Sequence, residues 1–167
     1  MANFLPEFIT KPNNNEISWA TKIYSNEKSI GYRSPKTIRR LALNNRVIVC
    51  RIRSLPVGII LIEPLSSAWL EIGGLFVIPK FRHLGIGNKL IQKATSEFKI
   101  SQCAFTFSNS IERMLKTSGF TRSSINSLPI KARLGLLEHR LTLKRILQMR
   151  QRTSKKSATF LIKRMYQ

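Results

Sequence analysis

The run WLEIGGLFVIPKFRHLGIGNKLIQKATSEF, Trp69 to Phe98, limits the folds open to this chain more than any other stretch. Leu70 to Ile78 is apolar except for Glu71 and the pair Gly73-Gly74, the pattern of a strand covered on both faces. Pro79 stops it. Arg82-His83-Leu84-Gly85-Ile86-Gly87 follows, and then Ile86, Leu90, Ile91, Ala94 and Phe98 recur at helical spacing. A strand, a glycine loop and a helix start, in that order, make an anion-binding arrangement: unpaired backbone N–H groups and the positive end of the helix dipole converge on one spot.

The flanking sequence supplies partners for that strand. Residues 1–15, with Pro6, Pro12 and Asn13-Asn14-Asn15, read as a flexible lead-in, and 16–167 as a single domain. Ile17 to about Ile30 has a helical pattern, and Ser34-Pro35 opens a second helix running to Leu43. RVIVCRIR (46–53) predicts a strand broken by Leu55-Pro56, and Val57–Leu65 a second, forming an antiparallel hairpin that continues into the opening strand. Beyond the central helix, Gln102–Ser108 is a strand. Ser108, Asn109 or Ser110 caps a helix ending at Ser118-Gly119, and Phe120–Ile125 is a short strand. Pro129 leads into a basic helix over 130–150, its apolar face carrying Leu134, Leu137, Leu141, Ile146 and Leu147. Residues 152–157 are a polar loop and 158–166 a final strand. The pattern predicts an α/β (α+β) fold: a central mixed, mostly antiparallel sheet flanked by helices, with an extra basic helix between the last two strands.

Charge sets a second constraint. Twenty-nine Lys and Arg face eight acids, all of them Glu, for a net charge of +21. Without Asp, no Asp-based triad or metal cluster can form. Residues 121–167 hold twelve of the basic residues and one Glu, more than half of the excess. Such a field attracts polyanions such as RNA, the ribosome or an anionic membrane, and would also steer a phosphate-rich cofactor; the plainer alternative is a solvated surface. Cys50 and Cys103 lie in apolar strand-like runs and read as core thiols of a reducing compartment. His83 and His139 lack neighbours that would complete a zinc site, so no metal is expected. No apolar run reaches the roughly 18 residues of a membrane span, no secretory signal opens the chain, and the expected location is cytoplasmic.

The order of helices, hairpin, Glu-bearing strand, RxxGxG loop, helix, strand, helix and Gly-Phe resembles the GNAT superfamily of N-acetyltransferases. LEIGGLFVIP (70–79) is similar to that superfamily's fourth strand, xEIxxLxVxP, and FRHLGIGNKL (81–90) to its acyl-CoA pyrophosphate loop. Ser108-Asn109 before a helix resembles the next block, and Gly119-Phe120 its end. The match is densest over 46–125. The spacing from Gly119-Phe120 to Leu128-Pro129 resembles GNATs related to N-acetylglutamate synthases, but the cysteines often found downstream in those are missing, and no subfamily is assigned.

The resemblance implies acetyl-CoA as acyl donor. Its pantetheine would lie along Leu75, Phe76 and Val77, and its diphosphate on the backbone of His83, Leu84, Gly85, Ile86 and Gly87, with Arg82, Asn88 and Asn109 alongside. Glycines allow close approach there, and the helix terminus adds donors without desolvating a side-chain charge. Acetyl transfer needs a neutral amine, so an acceptor ammonium of pKa about 10 must lose a proton. Glu71 is the one acid of the strand and the expected general base; the alternative is a Glu paired structurally with a nearby Arg. Backbone N–H near Leu75 or Phe76 would hold the developing oxyanion. Many members place a Tyr four to five residues before Gly-Phe as acid for the departing thiolate. Here that place is Leu115, and no Tyr occurs between Tyr32 and Tyr166.

Two functions follow from these readings. The first is acetyl transfer to a primary amine of a small molecule, peptide or protein. The alternative is a nucleic-acid or ribosome-binding protein on the same scaffold with weak or no catalysis. The acceptor amine and the oligomeric state are not legible in the sequence.

Overall fold

The computed structural model describes residues 5–27, 30–140 and 158–165. Its elements in chain order are β1 (Glu7–Ile9), α1 (Asn14–Asn26), α2 (Pro35–Leu43), β2 (Val47–Ile52), β3 (Leu55–Ser66) and β4 (Trp69–Val77). Then come α3 (Ile86–Ser96), β5 (Ser101–Thr106), α4 (Asn109–Thr117), β6 (Thr121–Arg122), α5 (Ile130–Arg140) and β7 (Thr159–Lys163). The strands form one sheet in the order β1-β2-β3-β4-β5-β7-β6, antiparallel except between β4 and β5. The mixed, mostly antiparallel sheet with flanking helices is the architecture the sequence predicts, including a helix between the last two strands.

Period-two burial accounts for the nearly unbroken apolar strands. On β2, Val47 and Val49 face α1 and α2 while Ile48 and Cys50 face α3 and α4. On β3, Ile59 and Leu61 take the first side, Ile60 and Ile62 the second. Alternation between two apolar faces produces a continuous hydrophobic run. α1 begins with a reciprocal cap in which Asn13 Oδ1 accepts from the Glu16 N–H and Glu16 accepts from the Asn13 N–H. α2 has Ser34 as its cap and Pro35 at the first helical position. A third cluster, around Leu65, Trp69, Cys103, Leu128, Ala132, Leu136 and Phe160, joins α5 to the far half of the sheet.

Several expectations need correction. Residues 7–9 pair with β2 (Glu7 opposite Arg51, Ile9 opposite Val49) and α1 begins at Asn14, so secondary structure starts inside the stretch read as a lead-in. Backbone pairing at a sheet edge needs no apolar signal, which is why Pro and Asn misled. Leu55-Pro56 does not break the hairpin: both lie in β3, and the turn is Arg53-Ser54, each with positive φ. The right-handed twist of paired strands favours such a turn. The strand expected over 120–125 is only two residues, Thr121–Arg122. In α5 the buried side chains are Ala132 and Leu136, while Leu134 and Leu137 are exposed. Gly135 explains the choice of face: a Cβ there would lie 2.2 Å from the Leu65 carbonyl oxygen, so the helix sits with its smallest residues against β3. The remainder of the expected helix, 141–150, and the loop 152–157 lie outside the described residues. Both cysteines are buried free thiols.

Candidate active site

The site forms where the sheet opens. β4 and β5 pair in parallel only through Trp69–Ser101, Leu70–Gln102 and Glu71–Cys103. From Ile72 onward β4 stays with β3, whereas β5 stays with β7, its partner on the other edge from Gln102–Lys163 to Thr106–Thr159. The β3–β4 register slips by one residue between Ile59 and Leu61, which places a bulge at Gly74-Leu75. Gly74 has φ +63°, a conformation a glycine adopts without strain. Behind it the fully buried Tyr24 donates its hydroxyl to the Gly74 carbonyl oxygen. Burial pushes the Tyr24 phenol far above its ordinary range, ahead of the opposing pulls of Arg33 and Glu63, so the hydroxyl keeps its proton.

Between the diverging strands lies a cleft of about 260 Å3, lined by Glu71, Gly73, Gly74 and Leu75 from β4, Ala104 to Thr106 from β5, and Ser108, Ile111 and Leu115 around α4. Ile30, Gly31, Arg33 and Arg140 close its other side. Leu115 therefore stands in the cleft wall where a tyrosine was sought, and among the described residues the side-chain hydroxyls lining the cleft belong to Thr106 and Ser108. Asn109 is exposed in the first turn of α4, and Ser108 is the residue that caps it.

At the open end of β4 the chain passes through Pro79–Phe81 into the glycine loop. Arg82 Nε donates to the Val77 carbonyl oxygen at 3.0 Å, anchoring the guanidinium at the end of the strand. His83 and Gly85 both have positive φ, and Gly85 caps α3 without a side-chain hydrogen bond. A Cβ on Gly85 would meet nothing within 4 Å. His83, Leu84 and Gly85 are exposed, while Ile86 is buried in the core and contributes only its backbone. The start of α3 thus has no side-chain cap and open space beside Gly85. Asn88 Oδ1 is buried without a hydrogen-bond partner among the described residues. Phe76 and Val77 turn their side chains into the cores on opposite faces of the sheet. What they and Leu75 offer the cleft is backbone, along an edge with no strand beside it among the described residues.

Charge is concentrated at the closed end. Glu63 and Glu71 are direct cross-strand partners, both at most 3% exposed. Two buried carboxylates side by side require cations. Arg33 Nε donates to Glu63 Oε1 at 2.8 Å, Arg33 Nη2 reaches the same oxygen, and Nη1 donates to the carbonyls of Gly31 and Tyr32. Burial alone disfavours the Arg33 charge, but the Glu63 carboxylate outweighs it and the pKa is raised. Glu71 Oε1 accepts from Arg140 Nη2 at 2.8 Å, and His139 Nδ1 lies 3.8 Å from Glu63 Oε2. Glu71 thus makes the arginine pair that the sequence left open as its alternative role. Sequence reading named none of Tyr24, Arg33, Glu63, Phe105 and Arg140. The hairpin register would have put Glu63 beside Glu71 and so called for two cations, but nothing local identifies Arg33 or Arg140 as those cations.

Among the described residues, no group of three or more His, Cys, Asp or Glu is placed to hold a metal ion, and no helix is long and apolar enough to cross a membrane. Burial pushes the Cys50 thiol up to about 11 and Cys103 higher still, so both are protonated at neutral pH.

A parallel sheet junction that splays at a bulge and runs into a glycine loop at a helix start is the arrangement that the resemblance to acetyltransferases implies. Residues 11–115 match the acetyltransferase (GNAT) family, and the chain belongs to it. No curated protein matches the chain. Among solved structures, Rv2747 from Mycobacterium tuberculosis, in complex with CoA and NLQ, superposes with a TM-score of 0.71 at 12% identity, covering 97% of this chain and 99% of that one. Arabidopsis thaliana Naa50, in complex with the bisubstrate analogue CoA-Ac-MVNAL, gives 0.64 at 11%, covering 95% and 97%. N-acetylglutamate synthase from Neisseria gonorrhoeae, complexed with coenzyme A and N-acetyl-glutamate, gives 0.64 at 16%. There the match covers 98% of this chain but 36% of the synthase. At these identities the likeness establishes the fold.

Proposed function

We propose that this chain transfers an acetyl group from acetyl-CoA to a primary amine. The observation that carries the reading is the edge of β4 facing β5, which from Ile72 to Val77 has no strand partner among the described residues and leads on to the start of α3, which no side chain caps. The residues present suit the donor: Leu75, Phe76 and Val77 would pair with its amide-bearing arm through backbone groups. His83 to Gly87, with Arg82 and Asn88, would take its diphosphate, where the space beside Gly85 is open. Asn109, exposed in the first turn of α4, is close enough in the chain to Ser108 to serve the same ligand from the other wall. Acetyl-CoA, when bound, supplies a reactive thioester.

The protein's own part is to orient the amine, take its proton and hold developing charge. The acceptor ammonium gives up one proton to become the nucleophilic amine; its nitrogen then bonds to the acetyl carbon as the carbon–sulfur bond breaks, and it loses a second proton as the amide forms, while the departing thiolate gains one from solvent. Glu71, on the cleft floor, is the group proposed to take the acceptor's proton, directly or through water. Backbone N–H groups at the bulge would stabilise the oxyanion. With Leu115 in the wall, no side-chain acid is assigned to the thiolate. Cys103 is buried and protonated, so direct transfer is favoured over an acylated cysteine.

Glu71→Gln tests the assignment. Turnover should fall by about 100-fold or more and lose its dependence on pH at the limb set by the carboxylate, with acetyl-CoA affinity retained. Full activity in that variant would remove Glu71 from the role.

The net charge of +21 supports a separate proposal, binding of a polyanion such as RNA. Lys36, Arg39 and Arg40 of α2 are among the exposed basic groups. Phosphate contacts would make the affinity fall steeply with salt. Absence of RNA binding at about 50 mM salt would dispose of it.

A further inference from the structure

Two arginines stand in the cleft wall, and they differ in what they have left to give. Arg33 is consumed by the fold: its Nε and Nη2 go to Glu63 and its Nη1 to the Gly31 and Tyr32 carbonyls. Arg140 is not. Its Nη2 donates to Glu71 Oε1, and its guanidinium carbon lies 3.6 Å from the centroid of the Phe105 ring. Its Nε is buried with no hydrogen-bond partner among the described residues. A buried, charged N–H without an acceptor is costly, and in folded proteins such a donor is normally met by an acceptor, whether protein, water or ligand.

The planar guanidinium fork selects among anions, since its parallel N–H groups match the two oxygens of a carboxylate. The Phe105 ring, with the guanidinium carbon 3.6 Å from its centroid, helps hold the group in place beside the cleft. Charge points the same way: among the described residues, Arg33 and Arg140 face Glu63 and Glu71, with His139 beside Glu63. An acceptor entering as a bare ammonium adds a positive charge next to two guanidinium groups. An acceptor that carries its own carboxylate adds none.

Resting on the acetyltransferase reading above, we propose that the acceptor is a small amine with an adjacent carboxylate, of the α-amino-acid class. Its carboxylate is held by Arg140 and its amine is delivered beside Glu71. The cleft volume of about 260 Å3 matches a small acceptor, being below the roughly 300–1,000 Å3 of most ligand pockets. Arg140 becomes a specificity residue supplied by α5, the helix that lies between the last two strands.

The experiment compares matched pairs with the full chain: phenylalanine with phenethylamine, arginine with agmatine, glutamine with 4-aminobutanamide. Thiol release at saturating acetyl-CoA gives kcat and KM, and calorimetry on the CoA-loaded protein gives binding independently of turnover. At least one amino acid should exceed its decarboxylated partner by about tenfold or more in kcat/KM or affinity. Arg140→Gln should collapse that ratio through KM, and Arg140→Lys, which keeps the charge but not the fork, should restore only part of it. Decarboxylated amines that match or exceed the amino acids in both measurements would overturn the proposal, as would an Arg140→Gln variant with the ratio intact. Acetylation of amines without carboxylate preference sinks this proposal alone; failure to bind acetyl-CoA sinks the reading beneath it.

Discussion

The Tyr24 hydroxyl donates to the Gly74 carbonyl oxygen at the bulge where β4 parts from β5. A helix on one face of the sheet thereby fixes the backbone that lines a cleft on the other. With that carbonyl held toward α1, the bulge keeps one orientation. Tyr24→Phe leaves a buried carbonyl without its donor and should cost about 1–3 kcal/mol, read from urea unfolding. If the bulge also positions oxyanion donors, kcat should drop while acetyl-CoA affinity stays near wild type. An unchanged kcat would reduce Tyr24 to a purely structural residue.

A Cβ on Gly87 would lie 3.6 and 3.7 Å from the side chains of Met114 and Leu75, ordinary contact distances, so the first carbon of a side chain fits there without a clash. A carboxylate in the first turn of α3 also favours the helix dipole. Gly87→Glu should therefore keep or slightly raise the melting temperature, yet weaken acetyl-CoA by about tenfold or more, because the new charge meets the diphosphate at the same N–H groups. Calorimetry checks it; unaltered affinity would move the diphosphate elsewhere.

Gly135 holds α5 against β3. An alanine there gains about 1 kcal/mol in helix propensity. It also drives a methyl into the Leu65 carbonyl at 2.2 Å, and backbone cannot yield as a side-chain tip can. Gly135→Ala should be net destabilising by about 1–3 kcal/mol in urea unfolding. Displacement of α5 would carry Arg140 from Glu71.

Glu112 accepts from Arg122 Nε at 2.6 Å and from Arg122 Nη2 at 2.9 Å, and pairs with Lys116 at 2.8 Å. The Arg122 and Lys116 hydrogen bonds hold its carboxyl down to about 2, against an ordinary 4.5. A depressed folded-state value stabilises the fold above the unfolded value and is lost as pH falls. Unfolding midpoints should therefore decline between about pH 4.5 and 2, and Glu112→Gln should flatten that limb. An identical acid profile in the variant would contradict the pairing.

The parts of this fold legible in the sequence are those written in local periodicity. Residues 46–53, Val57–Leu65 and Leu70–Ile78 read as strands from their apolar runs, and the loop from Arg82 to Gly87 reads as an anion site from its glycines. The charged end of the cleft was illegible for a different reason. Glu71 is visible as a lone acid in an apolar run, but Arg33 lies before α2 and Arg140 at the end of α5. No spacing rule joins residues that meet only after the sheet has formed. α5 misled for the same cause: Leu134 and Leu137 look like its core face, whereas Gly135 lets Ala132 and Leu136 dock instead.

The most direct test is acetyl-CoA turnover itself, followed as thiol release with a panel of primary amines, peptides and amino acids. The account predicts saturable, amine-dependent release that Glu71→Gln lowers by about 100-fold or more and Gly87→Glu weakens through acetyl-CoA affinity. Amine-independent hydrolysis, or no binding of acetyl-CoA at any concentration tested, would contradict it.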